Sequence, residues 1–274
     1  MACPSPVLFV SHGAPTFALD PGLAGERLSQ LGAALEKPDA VVIVSPHWMT
    51  RSSIAVTASA APATIHDFGG FPQALYELSY PAKGAPALAA QIVGLLRSQG
   101  WPADLNGQRG LDHGAWVPLL HLLPQADVPV VQVSMPAALD TESAFQFGQA
   151  LQALTRQGVL VIGSGSLTHN LYEFRGAHGA DAAYVKAFAD WTAQALRERD
   201  LPRLLDYRQQ APDAARAHPS EEHLLPLFIA LGAAGDDYAM TLLDGGIAHG
   251  VLAMDSYLFS PRNTSTSLTT GLVQ

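Results

Sequence analysis

Ten histidines stand against a single cysteine in this 274-residue chain. Any metal chemistry it performs must therefore rest on nitrogen and oxygen donors. Neutral imidazole is the commonest side-chain metal ligand, and its protonation changes near neutral pH. Two of the histidines follow apolar runs almost directly. His12 sits in Ser11-His12-Gly13-Ala14-Pro15, and His47 in Ser45-Pro46-His47-Trp48. Gly13 permits a sharp turn and Pro46 fixes the chain direction, so each run ends by presenting an imidazole. Two such histidines from two strands point to a shared metal ion, and Trp48 would wall an aromatic pocket beside it.

A third ligand is offered twice. His223 lies in His218-Pro219-Ser220-Glu221-Glu222-His223-Leu224-Leu225-Pro226-Leu227. Ser220 is the expected N-cap of a helix with Glu221 and Glu222 in its first turn. On that helix His223 shares a face with Leu227 and Leu231 and points inward, where an unpartnered imidazole is costly. Glu222 is about 100° round the helix from it. Glu222 would complete a two-histidine, one-carboxylate triad, and His223 a three-histidine set; the spacing leaves both open. His113, in Asp112-His113-Gly114, and His169, in Thr168-His169-Asn170, are candidates for general acid or base. Each reads equally as a hydrogen-bonded loop histidine. His66-Asp67-Phe68, followed by Gly69-Gly70, reads as a pocket wall or as a tight Asx-type turn. His121, His178, His218 and His249 read as incidental.

The elements that must position these residues are short apolar runs alternating with longer helical stretches. Residues 7–10, 40–44, 128–133 and 159–162 are rich in Val and Ile and bounded by Gly, Pro or Ser. They lack period-two alternation, as strands buried on both faces do. Residues 86–99, 141–157 and 182–199 carry helical spacing, the first two stopped by Gly100 and Gly158. The alternation predicts an α/β fold: one domain over 1–274, a central, mostly parallel sheet, and helices on both faces. Ligand sites in such sheets lie at the carboxyl ends of the strands, where His12 and His47 fall. The Ser/Thr-rich residues 262–274 are expected to fray.

Composition narrows the class further. With 48% hydrophobic and 14% charged residues the chain is too apolar for disorder. Fifteen basic against 24 acidic side chains leave −9, which argues against a nucleic-acid partner. No apolar run approaches the roughly 18 residues of a membrane span. No export signal is visible, so a cytoplasmic location is expected. The dinucleotide fingerprint, the Gly-x-Ser-x-Gly elbow and His-Glu-x-x-His are all incomplete or absent.

Six segments occur in a recognisable order: residues 11–15, 45–48, 64–72 (Thr64-Ile65-His66-Asp67-Phe68-Gly69-Gly70-Phe71-Pro72), 112–116, 168–171 and 222–227. Together they closely resemble the class III extradiol ring-cleaving dioxygenases, and within them the 4,5-DOPA dioxygenase extradiol branch. The resemblance runs from His12 to about Tyr257. It implies a catalytic domain that opens a DOPA-like or related catechol with O₂ to a semialdehyde acid. It implies His12, His47 and His223 as metal ligands, with Glu222 as the alternative third ligand. It implies His169 as active-site base or further ligand, and His113 near bound substrate and oxygen. His66, Trp48 and Phe68 are expected in the substrate pocket. The resemblance implies Fe(II) for turnover, since a ferrous ion with open positions can take both catechol and O₂. Zn(II) is the other metal found in the branch; it is redox-inert, so a zinc-dependent hydrolase on the same scaffold is the competing reading.

Overall fold

The computed structural model describes residues 4–174 and 181–262. Strands β1 (Val7–Ser11), β2 (Ala40–Thr50), β3 (Ile54–Thr57), β4 (Ala103–Asn106), β5 (Val130–Pro136), β6 (Val159–Gly165), β7 (Tyr238–Leu243) and β10 (Ser256–Pro261) form one sheet. Its order is β4-β3-β5-β2-β6-β1-β10-β7. A small hairpin, β8 (Ile247–Ala248) and β9 (Leu252–Ala253), stands apart from it.

The centre is parallel, with β2 between β5 and β6 and β1 on the far side of β6. The four Val/Ile-rich runs are these four strands, and β1 and β6 are buried along their whole length. A strand covered on both faces needs no polar face, which is why alternation is absent. The flanks turn antiparallel: β10 pairs with β1 and β7, and β3 meets β5 at one residue pair. The predicted architecture is thus observed, a mostly parallel α/β sheet with helices packed on it.

Helices Pro86–Ser98 and Ala183–Glu198 fall within a residue of expectation. The stretch predicted as one helix over 141–157 is two pieces. An α-helix runs Thr141–Leu151, capped by Asp140, then a 3₁₀ segment Gln152–Gln157 ends at Gly158 with φ +74°. The helix expected from Ser220 begins later, at Leu225–Ala234. Pro226 sits in its first turn, where a missing N–H costs nothing, and so sets the start. His223 consequently lies in the turn before the helix, and Ser220 bonds Glu222 rather than capping.

No helix among the described residues is long and apolar enough to cross a membrane. The predicted frayed tail, apart from Arg262, and His178 lie outside the described residues.

Candidate active site

Local irregularities at the carboxyl ends of parallel strands deliver His12 and His47, and turns beside helices deliver His113 and His223. His12 follows β1 and extends its ladder by one bond, His12 N–H to Gly165 O at 2.9 Å. β2 pairs with β5 up to Ser45 and resumes at Met49, so residues 46–48 form a bulge. Bulges re-aim side chains, and this one turns His47 toward His12. Two glycines of β6 let the incoming turn approach. A Cβ at Gly163 would collide with Pro226 O, and one at Gly165 with His223 O. Ser166 N–H then donates to His223 O at 2.8 Å, and His169 N–H to Ala217 O at 2.8 Å. These bonds stack the rings of His169 and His223, 3.5 Å between centroids and 11° from parallel.

His113 opens the helix His113–Leu122. Of its two sequence readings, acid/base group or loop histidine, the second does not hold: Asp112 accepts from Ala115 N–H as the N-cap and makes His113 helical. Asp112 is fully buried, which raises its pKa; Gln132 Nε2 and Arg109 Nη2 (3.3 Å) donate to its Oδ2. Arg109 also donates to His47 O at 3.1 Å, tying the β2 bulge to this helix.

The result is a cavity of about 520 Å³ whose lining includes His12, His47, His113, His169 and His223. Phe68, Phe71, Leu171, Phe174 and Leu252 make most of the remaining wall. Phe68 is thus part of the cavity wall. His66 and Trp48 do not line the cavity. His66 packs behind Phe68 and donates from Nε2 to Leu78 O at 3.0 Å. Trp48 is buried with the Arg109 guanidinium 5.3 Å from its ring. The bulge directs His47 inward, and the next side chain of an extended chain points the other way.

The tautomers follow from the hydrogen bonds. Ser164 Oγ–H donates to Gly114 O, so the same oxygen must accept from His12 Nδ1–H at 3.0 Å. His12 Nε2 is then a bare lone pair, 3.1 Å from His47 Nε2. His223 Nδ1–H donates to Glu222 Oε1 at 3.0 Å, leaving Nε2 buried without a partner. His113 Nδ1–H donates to Asp67 Oδ1 at 3.0 Å, and the same oxygen accepts its backbone N–H at 2.9 Å. Asp67 Oδ2 lies 3.8 Å from His47 Nδ1.

Burial first, and repulsion from neighbouring imidazoles second, keep His12, His47 and His169 neutral. His12 is held well below the usual histidine range, His47 is lowered to about 2 and His169 to about 3. His223 is also lowered by burial. Hydrogen bonding to His223 brings Glu222 down to about 2. Burial pushes Asp67 up, but its bonds to His113 prevail and lower it to about 2. The site thus offers neutral nitrogen donors backed by carboxylates.

That donor set fits a metal ion. Ligands about 2.1 Å from a common ion lie roughly 3.0–3.4 Å apart, which matches the His12–His47 separation of 3.1 Å. An orphaned, buried Nε2 on His223 needs a partner that the protein does not supply. The carboxylate behind His223 and the hydroxyl behind His12 are the outer supports that metal-bound imidazoles require. Two separate groups each have ligand atoms within 4.8 Å of one another: His12, His47 and His113 in one, and His169, Glu222 and His223 in the other. Sequence reasoning missed Ser164, Arg109 and Gln132. A serine inside an all-apolar strand was the one available signal, at Ser164.

The description "Catalytic LigB subunit of aromatic ring-opening dioxygenase" belongs to the family model that matches residues 10–253. A protein called 4,5-DOPA dioxygenase extradiol from Escherichia coli K12 is 38% identical over 259 residues, 91% of this chain and 92% of that protein. One of the same name from Beta vulgaris is 37% identical over 256 residues, 92% of this chain and 95% of the relative. The crystal structure of an uncharacterized Escherichia coli K12 protein superposes with a TM-score of 0.77 at 31% identity, over 93% of this chain and 99% of the other. This chain belongs to the LigB family of aromatic ring-opening dioxygenases, and it is an extradiol ring-cleaving enzyme.

Proposed function

We propose that the chain, acting as a single catalytic domain, opens the ring of a DOPA-like or related catechol beside its diol, with Fe(II) held by His12, His47 and His223. One observation carries the ligand assignment. His12 and His223 have Nδ1 occupied by protein groups and Nε2 bare, and the His12 and His47 Nε2 atoms lie 3.1 Å apart. Glu222 is already engaged by His223 Nδ1 and Ser220 Oγ, so it supports the ligand rather than replacing it. Ferrous iron is favoured because ring opening consumes O₂, which redox-inert zinc cannot activate. Iron held by these residues would supply the Lewis acidity for a chelating diol and the redox chemistry that ring opening with O₂ requires.

The protein's own groups handle the protons. The catechol must lose hydroxyl protons to chelate. His169 is neutral, and among the described residues neither of its ring nitrogens has a hydrogen bond. Its protonated form is disfavoured by burial and then by His223. The negative charge of an ionised catechol favours that form, so His169 takes a proton only when substrate is present. His113 differs. Its Nδ1–H is held by the Asp67 carboxylate, so a proton gained at Nε2 gives an imidazolium with an anionic partner. His113 is suited to keep that proton and return it as the ring opens. Phe68 and Phe71 exclude water and offer faces to an aromatic ring. In the overall reaction both atoms of O₂ enter the product, one ring C–C bond breaks, and the protons taken by the histidines are restored.

Anaerobic Fe(II) reconstitution followed by a panel of catechols including L-DOPA tests this reading. The expected result is O₂ uptake equimolar with a yellow ring-opened product. Iron bound without O₂ uptake on any catechol contradicts it. Ester or amide cleavage with Zn²⁺ under argon would instead support the hydrolase reading.

A further inference from the structure

A second cavity of about 580 Å³ adjoins the first, and the function above leaves it unused. Ala14 lines both. Two side-chain contacts separate them. Met254, which lines the second, packs directly over Gly13, which lines the first: a Cβ on Gly13 would lie 2.6 Å from Met254 Cε. His249, of the second, stacks on Phe174, of the first, at 4.4 Å and 26°.

These partitions have the marks of a passage rather than a wall. Met254 is an unbranched thioether that re-packs at little cost, set against a residue with no side chain. His249 is held at φ +53°, unusual for a residue with a Cβ. Its Nδ1 is buried with no hydrogen-bond partner among the described residues. Strain and an orphaned polar atom persist where function requires them. Beyond the partition the lining is largely apolar, with Phe17, Leu19, Leu23 and Ile247, and its charged member is the carboxylate of Asp20.

We propose that the second cavity is a subsite for the ring substituent of the catechol, entered past Met254, and that it accepts an extended apolar substituent not ending in a carboxylate. The first cavity holds the diol over the histidines, and a long substituent displaces the Met254 side chain to reach Leu23 and Ile247. A polar atom on that substituent can satisfy His249 Nδ1. An anionic end meets Asp20 and is disfavoured. This proposal rests on the ring-opening reading and refines its substrate class.

Binding measured by calorimetry on the metal-reconstituted chain, without O₂, tests the subsite independently of turnover. The probes are 4-methylcatechol, 4-octylcatechol and 8-(3,4-dihydroxyphenyl)octanoate. The octyl compound is expected to bind at least ~10-fold tighter than the methyl one, from the apolar area it buries. The octanoate should lose most of that gain. Leu23→Arg and Ile247→Arg, on different walls of the second cavity, should each bring the octyl-to-methyl ratio close to one; Met254→Ala should widen it. Leu23 is 41% exposed, so its replacement spares the core; thermal melting and metal content check both arginine variants. An unchanged ratio in both, or equal affinity for the two alkyl probes in the unmodified chain, overturns the subsite. Octanoate binding as tight as octyl overturns its charge preference. Failure of 4-methylcatechol itself to bind overturns the ring-opening reading, and the subsite with it.

Discussion

The histidines at the strand ends differ from those elsewhere in the fold by what their Nε2 atoms touch. His66, His121 and His218 each direct Nε2 to a backbone carbonyl: Leu78 at 3.0 Å, Phe17 at 3.0 Å and Leu167 at 2.8 Å. These rings are used as cross-links between segments. In the cluster, Nδ1 carries the structural bond, to Ser164, Glu222 or Asp67. His12 Nε2 is left 3.1 Å from His47 Nε2, and His223 Nε2 is left without a partner among the described residues. Titration does not separate the two regions. Burial lowers His218 to about 4, much as it lowers His169 to about 3. The distinguishing property is which nitrogen the protein satisfies, because an imidazole can bind a metal only through an uncommitted lone pair.

The sharpest way to break this contrast is to delete one ring from each region and count metal. His47→Ala and His223→Ala should reduce bound iron from about one ion per chain to below about a tenth, since three ligands are needed for a stable site. His218→Leu should keep full occupancy. Elemental analysis after desalting decides, and metal loss from His218→Leu would erase the distinction. Next in size is His169→Ala. It should retain metal and lose ~10²–10⁴-fold in kcat, the usual worth of a positioned proton acceptor. If iron is lost instead, His169 is a ligand and the stacked pair acts as one. Asp67→Asn and Glu222→Gln remove supports rather than ligands, and a fall of ~10–100-fold in metal affinity or activity is expected.

The smallest effects concern stability. His218→Leu strips the partner from Leu167 O and should cost about 1–3 kcal/mol in denaturant unfolding, with metal content unchanged. The pH dependence has a defined sign. His218 is lowered to about 4 in the fold, whereas an unfolded histidine titrates near about 6.5. The unfolded chain therefore binds the proton first, and stability falls as pH drops from about 6.5 toward about 4. At pH 5 the loss from this residue is roughly 2 kcal/mol. His218→Leu should flatten that part of the profile; an identical slope in the variant would assign it to other groups.

The same contrast shows what the sequence could reveal. Val/Ile runs without alternation located the four central strands, because burial on both faces dictates composition. The flanking strands β3, β4, β7 and β10 carry mixed residues whose pairing depends on partners far along the chain, and they were not legible. The cluster histidines were readable because strand ends, glycines and prolines mark them locally. The tautomers were not, since Ser164 and Asp67 reach His12 and His113 across 152 and 46 residues. That Trp48 and His66 do not line this cavity was hidden for a related reason. Adjacency to a ligand says nothing about which way the next side chain turns. His218 was read as incidental, yet it holds the segment that carries His169.

The central claim is that His12, His47 and His223 hold the catalytic metal through Nε2. Anomalous scattering at the iron edge, from crystals grown of anaerobically reconstituted protein, tests it most directly. The account predicts one peak about 2.0–2.3 Å from all three Nε2 atoms, with Glu222 still bonded to His223 Nδ1. A peak bound by His113 in place of His223, or by His169 and Glu222, would contradict it.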